Sequence, residues 1–103
     1  MINVRKAVEV TQDYFQSIQD MLGEELRDLR LEEVELSEDR DIWLVTLGYD
    51  RVIPAPQSVL GNVLKRFRRE YKLFKVNAET GEVKGMVKRL FDHEADEYTI
   101  PLR

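Results

Sequence analysis

The sequence predicts an α+β fold in which an N-terminal helix packs on a four-stranded antiparallel sheet. Apolar residues recur with the 3.6-residue period of a helix up to Leu22, and segments rich in alternating or β-branched residues follow from Leu29 onwards. A helix followed by consecutive strands is typical of a two-layer domain. The chain has 103 residues, and we expect one domain that spans residues 1–103.

The first element is predicted to be a helix over about residues 3–22. Its apolar face consists of residues at helical spacing, namely Val4, Val8, Phe15, Ile18 and Leu22, with Ala7, Tyr14 and Met21 beside them. Gly23 is predicted to end this helix, because glycine adopts the left-handed backbone conformation without a steric cost.

The next two elements are predicted to be strands. Apolar residues alternate over 29–31 and again, in shifted phase, over 34–36, which predicts a β-bulge near Glu32-Glu33. After a turn-like segment, the run IWLVTLGY from Ile42 to Tyr49 is apolar at odd and even positions alike. Such a run is typical of a central strand.

An irregular excursion is predicted at about 51–68, since Pro54 and Pro56 exclude regular structure at its start. Two further strands, 69–76 and 82–91, are joined by Asn77-Ala78-Glu79-Thr80-Gly81, where the glycine supplies a positive φ. The chain then continues as an acidic C-terminal tail at about 92–103.

The helix and this closing hairpin, YKLFKVNAETGEVKGM, resemble PepSY-type domains and the wider cystatin-like α+β architecture. The matching turn residues are Asn77, Ala78, Thr80, Gly81, Glu82 and Val83, and Ala7, Tyr14 and Phe15 suit the family's helix. The resemblance implies a non-enzymatic domain associated with binding or inhibiting peptidases. The cystatin-like architecture also includes small bacterial immunity proteins that neutralise toxins, and this alternative stays open.

The composition disfavours several kinds of chemistry. The chain has no cysteine, which excludes disulfides, thiolate metal sites and a cysteine nucleophile. Its single histidine, His93, lies in an acidic segment whose spacing matches no calcium loop, no HExxH motif and no two-histidine arrangement. We therefore expect no catalytic residues, no cofactor and no metal. No targeting segment or membrane span is recognisable, and we expect a cytoplasmic protein.

Charge is distributed unevenly along the chain. The net charge is −4, yet residues 51–75 carry 7 Lys and Arg against the single acidic residue Glu70. The densest part of this basic segment is Lys65, Arg66, Phe67, Arg68 and Arg69. Cations around an aromatic ring favour phosphates and bases, or an acidic partner. Weak association with nucleic acid is thus an alternative function, although the acidic total disfavours it.

One face of the sheet is a candidate protein-binding surface. If Val34, Leu36, Val83 and Val87 face the helix, the charged residues that emerge on the opposite face are Glu33, Glu35, Lys84 and Lys88. The second strand contributes an apolar row there, since one helix covers only one face. Whether the row with Trp43 and Tyr49 or the row with Leu44 faces outward stays open. Our first hypothesis is a non-catalytic protein-binding or regulatory module that binds a partner or a second copy through this face.

Overall fold

A computed structural model describes residues 1–23, 26–53 and 66–89. It contains a helix α1 (Val4–Ile18), a short 3-10 helix (Gln19–Leu22) and the strands β1 (Leu26–Leu36), β2 (Ile42–Ile53), β3 (Arg66–Asn77) and β4 (Val83–Arg89). The strands pair antiparallel in the order β1-β2-β3-β4, and α1 packs on one face of the sheet. The predicted α+β fold is confirmed.

The helix begins and ends where the sequence indicates. The side-chain oxygen of Asn3 accepts a hydrogen bond from the backbone N–H of Lys6 at 2.8 Å and so caps the first turn. The last predicted turn is a 3-10 helix over Gln19–Leu22, and Gly23 follows with a φ of 96°. Residues other than glycine rarely adopt this angle, which explains why a glycine occupies this position.

The buried face of α1 differs in part from the predicted one. It consists of Ala7, Thr11 and Phe15, which are spaced four residues apart, whereas Val4 is 44% exposed. Small side chains at two of these positions allow the helix to lie close to the sheet. The hydroxyl of Thr11 donates a hydrogen bond of 2.8 Å to the carbonyl of Ala7, so a polar group can be buried here without losing a partner.

β1 contains two irregularities. Leu31 pairs with Leu47 and Glu33 pairs with Thr46, so Glu32 is an extra residue in the ladder. This confirms the β-bulge predicted near Glu32-Glu33. A second register shift lies between residues 27 and 30, where Asp28 has a φ of 56°.

The core decides which row of β2 faces the helix. Val45, Leu47 and Tyr49 are fully buried on the helix side, and the ring of Phe15 lies 5.2 Å from that of Tyr49. Phe74 completes the aromatic cluster at 6.1 Å from Phe15. The odd-numbered row therefore faces α1, and the even-numbered row faces away.

Backbone hydrogen bonds join the closing hairpin to the N-terminus. Ala78 is fully buried; its N–H donates to the carbonyl of Asp41 at 2.9 Å, and its carbonyl accepts from the N–H of Ile2 at 2.8 Å. The indole N–H of Trp43 donates to the carbonyl of Ile2 at 3.1 Å. Gly81 has the positive φ, 80°, that the turn was predicted to need.

The predicted excursion is shorter than 51–68. β2 continues to Ile53 and β3 begins at Arg66, because the two strands stay paired over this length. Residues 54–65, together with the tail at 90–103, lie outside the described residues.

Candidate protein-binding face of the sheet

The face of the sheet opposite α1, called the outer face from here on, is defined by the strand register. Directly paired residues of an antiparallel sheet project to the same side. Three successive rows of the outer face, each taken from β1 to β4, are Glu35, Leu44, Lys75, Gly85; Glu33, Thr46, Leu73, Val87; and Arg30, Gly48, Tyr71, Arg89. β1 thus carries glutamates in the first two rows and an arginine in the third, beside basic and apolar residues of β3 and β4.

An apolar strip runs across the centre of the outer face. It consists of Leu44, Leu73 and Val87, of which the first two are half-buried and Val87 is 46% exposed. Leu73 lies directly opposite Val87 and diagonally from Leu44. Next to the strip, a Cβ built on Gly85 would meet no atom of the described residues within 4 Å.

An ion pair crosses the sheet beside the apolar strip. Arg89 on β4 reaches Glu33 on β1, with 2.9 Å between Nη2 and Oε1. Its Nη1 donates to the hydroxyl of Thr46 at 3.0 Å, and Thr46 is fully buried although it lies on the outer face. The outer face beside the apolar strip therefore carries a neutralised charge pair rather than an isolated cation.

A second charge cluster surrounds Arg69. Its Nη2 lies 2.7 Å from Oε2 of Glu32, and its Nη1 lies 3.3 Å from Oδ1 of Asp50 and 2.9 Å from the carbonyl oxygen of Asp28. Burial lowers the pKa of Arg69, but the hydrogen bonds with Glu32 and Asp50 outweigh this effect and raise the pKa above its ordinary value. The guanidinium is held in place on three sides.

This cluster depends on a glycine in β2. A Cβ on Gly48 would lie 2.5 Å from Oε2 and 2.8 Å from Cγ of Glu32, closer than real contacts allow. The absence of a side chain at this position lets the bulged Glu32 lie across β2 and reach Arg69.

A third polar cluster lies on the helix side, where β2 and β3 pass the end of α1. Oε1 of Glu70 accepts hydrogen bonds from the hydroxyl of Tyr49 at 3.2 Å and from Nε of Arg51 at 2.9 Å. Nη1 of Arg51 also donates to the carbonyl of Leu22 at 3.2 Å, which satisfies a free carbonyl at the end of the 3-10 helix.

The cluster shifts two pKa values in opposite directions. Burial and the negative charge of Glu70 raise the pKa of Tyr49 to about 12. Burial alone would raise the pKa of Glu70, but the hydrogen bond and charge of Arg51 outweigh it and lower that pKa. Tyr49 thus holds its proton and Glu70 stays ionised, an arrangement suited to a structural ion pair rather than to proton transfer.

The predicted partner-binding residues divide between the two faces. Glu33 and Glu35 lie on the outer face, as expected. Trp43 and Tyr49 do not, because the odd-numbered row of β2 packs on α1, and the fully buried Tyr49 offers no surface to a partner. Neither is an anchor on the outer face.

The prediction for β4 was also wrong in part. Val83 packs on the core, but Val87 lies on the outer face, and Lys88 is paired with Lys72 in a row of the helix side. The reason is a register shift at Lys84, which adds one residue to β4 and reverses the sides of all later residues.

Within the basic segment 65–69, the described side chains of Phe67, Arg68 and Arg69 alternate between the two faces of the sheet. Lys65 lies outside the described residues, and Arg66 is the first residue of β3. Phe67 is 48% exposed and has the guanidinium of Arg27 at 5.6 Å from its ring centre. Arg68 is exposed, while Arg69 is committed to the acidic cluster described above.

Local sequence patterns did not reveal the three charge clusters, because their members are far apart in the chain. Arg69 and its partner Glu32, for example, are separated by 37 residues in the chain. The one available signal was Glu70, an isolated acid within a basic segment, which indicates a buried or paired carboxylate.

Within residues 1–23, 26–53 and 66–89, no group of three or more metal-ligating side chains is close enough to hold an ion. His93 lies outside these ranges. No helix in the described part of the chain is long and apolar enough to cross a membrane.

Comparison with known proteins adds no further constraint. The chain matches no protein-family model, and no curated protein or solved structure is significantly similar to it. The resemblance to PepSY-type and cystatin-like domains therefore stays a prediction.

Proposed function

We propose that this chain is a non-catalytic protein-binding module whose partner contacts the outer face of the sheet. The observation that carries the proposal is the apolar strip of Leu44, Leu73 and Val87 on the face that α1 leaves uncovered. A sheet that faces only water normally presents polar side chains there. Apolar side chains at the centre of a face with charges at its edges are typical of protein interfaces.

The charges of the outer face favour a protein over a nucleic acid. Phosphate binding requires cations that can exchange their counterions for phosphates. Here Arg89 is paired with Glu33, and Arg69 is surrounded by carboxylates and a carbonyl oxygen. A protein partner can accept such paired charges at the rim of its interface without separating them.

Two features support a role without catalysis. Tyr49, whose pKa is raised to about 12, is fully buried and keeps its proton, so it cannot serve as a base near neutral pH. The resemblance of the closing hairpin to PepSY-type domains, which are non-enzymatic, favours the same conclusion.

The proposal is tested by the size of the complex that contains the full chain in extracts of its native cells. Val87→Lys places a charge on the apolar strip, and Met21→Lys is the matched control, because Met21 is 78% exposed on the helix side. We expect the wild-type chain and Met21→Lys to elute well above the size of a monomer and Val87→Lys to shift toward it. Equal elution of all three, or elution of the wild type as a monomer, would contradict the proposal.

A further inference from the structure

We propose a second binding site, separate from the outer face: the edge of β4 binds an extended, acidic segment of another protein, which adds to the sheet as a fifth strand. This inference goes beyond the proposed function and does not depend on it, because the site consists of the backbone of β4 and lysines on the helix side.

The backbone of β4 has hydrogen-bonding groups at the edge of the sheet. The N–H of Asn77 donates to the carbonyl of Glu82 at 2.8 Å, and bonded positions alternate along an antiparallel pair. With the register of β3 and β4, this alternation directs the backbone N–H and C=O groups of Met86 and Lys88 away from β3. No described strand pairs with these groups, because β4 is the last strand of the described sheet. Another extended chain offers donors and acceptors in the alternation that such an edge requires, whereas a phosphate offers acceptors alone.

The edge of β4 is better suited to an added strand than the edge of β1. β1 contains two register shifts, and Asp28 has a φ of 56°, so its row of outward backbone groups is interrupted. β4 pairs with β3 without a register shift from Gly85 to Arg89. This stretch has the length of a usual strand, about five residues.

Lysines on the helix side select the charge of the added strand. Lys72 lies directly opposite Lys88, and like charges in this position repel each other. Neither lysine forms an ion pair with a described residue. The acid that precedes Lys72 on β3, Glu70, already accepts hydrogen bonds from Tyr49 and Arg51. A carboxylate on the added strand beside Lys88 would therefore relieve the repulsion between the two lysines.

The wider charge of the last two strands also favours an acidic partner. From Tyr71 to Arg89 the chain carries five Lys and Arg, and its two acidic residues, Glu79 and Glu82, precede β4 at the turn. Arg89 is paired with Glu33 on the outer face. Pairing of two β4 edges would set lysines against lysines, so the edge disfavours a second copy of this chain.

The row that the added strand extends also contains an apolar residue. Met86 is half-buried, packs on the core and is paired with Phe74, whose ring lies against that of the 39% exposed Tyr14. An apolar side chain beside Met86 would extend this contact. The bound segment should therefore carry an apolar residue and an acidic residue two positions apart, because such residues project to the same side of a strand.

A synthetic peptide tests the site. The probe is Thr-Glu-Thr-Val-Thr-Glu-Thr, which has the same order of side chains in both directions and places both glutamates and the valine on one side of a strand. Titration calorimetry with the full chain measures the dissociation constant, and amide hydrogen exchange followed by NMR locates the peptide. We expect the probe to slow exchange of the Met86 and Lys88 amides about tenfold or more and to leave the amides of β1 unchanged.

Charge reversal tests the role of the lysines. Lys88→Glu should weaken binding of the probe about tenfold, and a second probe with lysine in place of glutamate should bind this variant better than the wild type. Arg5→Glu makes the same change of charge at an exposed residue of α1 and should alter the dissociation constant less than about twofold. Lys88→Glu sets opposite charges face to face with Lys72, so a melting temperature no lower than that of the wild type shows that folding is retained.

The opposite results would overturn the proposal. Amides of Met86 and Lys88 that exchange in the free chain as slowly as the amide of Phe74 would show that the edge is already paired. Equal binding of the acidic and basic probes, or unchanged binding by Lys88→Glu, would exclude the selection of an acidic strand. Protection of β1 instead of β4, or no saturable binding at millimolar probe, would exclude the site itself. These results leave the proposed function untouched, since Val87→Lys tests it separately in cell extracts.

Discussion

Gly48→Ala adds a single methyl group and tests how much the acidic cluster around Arg69 stabilises the fold. The new Cβ would lie 2.5 Å from Oε2 of Glu32 and 2.8 Å from its Cγ, so the side chain of Glu32 must rotate away and lose its 2.7 Å bond to Arg69. Losing a partly exposed, charge-assisted hydrogen bond and crowding β2 costs about 1.5 kcal/mol. Alanine recovers about 0.5 kcal/mol by restricting the unfolded chain. We expect a net destabilisation of about 1 kcal/mol in urea unfolding.

Two comparisons isolate the cause. Gly85→Ala is the control on the same face, where a Cβ meets no atom of the described residues within 4 Å, and it should be neutral or stabilising by about 0.5 kcal/mol. In a Glu32→Ala background there is no Glu32 side chain to displace, so Gly48→Ala should become slightly stabilising instead of destabilising. The difference between the two backgrounds corresponds to a coupling free energy of about 1.5 kcal/mol. If Gly48→Ala is equally costly with and without Glu32, the explanation is wrong.

Two further predictions concern the core. The pKa of Tyr49 is about 12 in the folded protein, and its ordinary value is 10.0. The contribution of the protonated Tyr49 to the free energy of unfolding is therefore complete below pH 10 and is lost as the pH rises toward 12. Between pH 9 and pH 11 the wild type should therefore lose about 1 kcal/mol of unfolding free energy that Tyr49→Phe does not lose. Phe15→Ala removes a ring that is 1% exposed and should cost about 3–5 kcal/mol in urea unfolding, whereas Val4→Ala, at a 44% exposed position, should cost less than about 1 kcal/mol. Equal effects of the last two variants would show that Phe15 is not central to the core.

The order of elements was predictable because it depends on local patterns. The helical period, the glycine at 23, the phase shift at Glu32 and the turn at Asn77–Gly81 are each visible within a few residues of sequence, and each was confirmed. The lengths of β2 and β3 were underestimated at ends that carry charged residues. Asp50, for example, can occupy β2 because it pairs across the sheet with Arg69.

The composition of the outer face was harder to predict. Both rows of β2 are apolar, so the local pattern could not show that Trp43 and Tyr49 face the helix. The positions of Val83 and Val87, four residues apart, suggested one side of the sheet; the register shift at Lys84 separates them and leaves no trace in the apolar pattern. The ion pair of Glu33 and Arg89 joins the two edge strands and could be recognised only from the fold.

The central claim is that the outer face of the sheet contacts another polypeptide. Its most direct test is photo-crosslinking in the native cell, with a photoreactive amino acid at Val87 in one version of the chain and at Met21 in another, since both positions are exposed but lie on opposite sides of the molecule. We expect intermolecular adducts from position 87 and none above background from position 21, and adducts between two copies of this chain if the partner is a second copy. Equal yields from both positions, or crosslinks from position 87 only to residues 90–103 of the same chain, would contradict the claim.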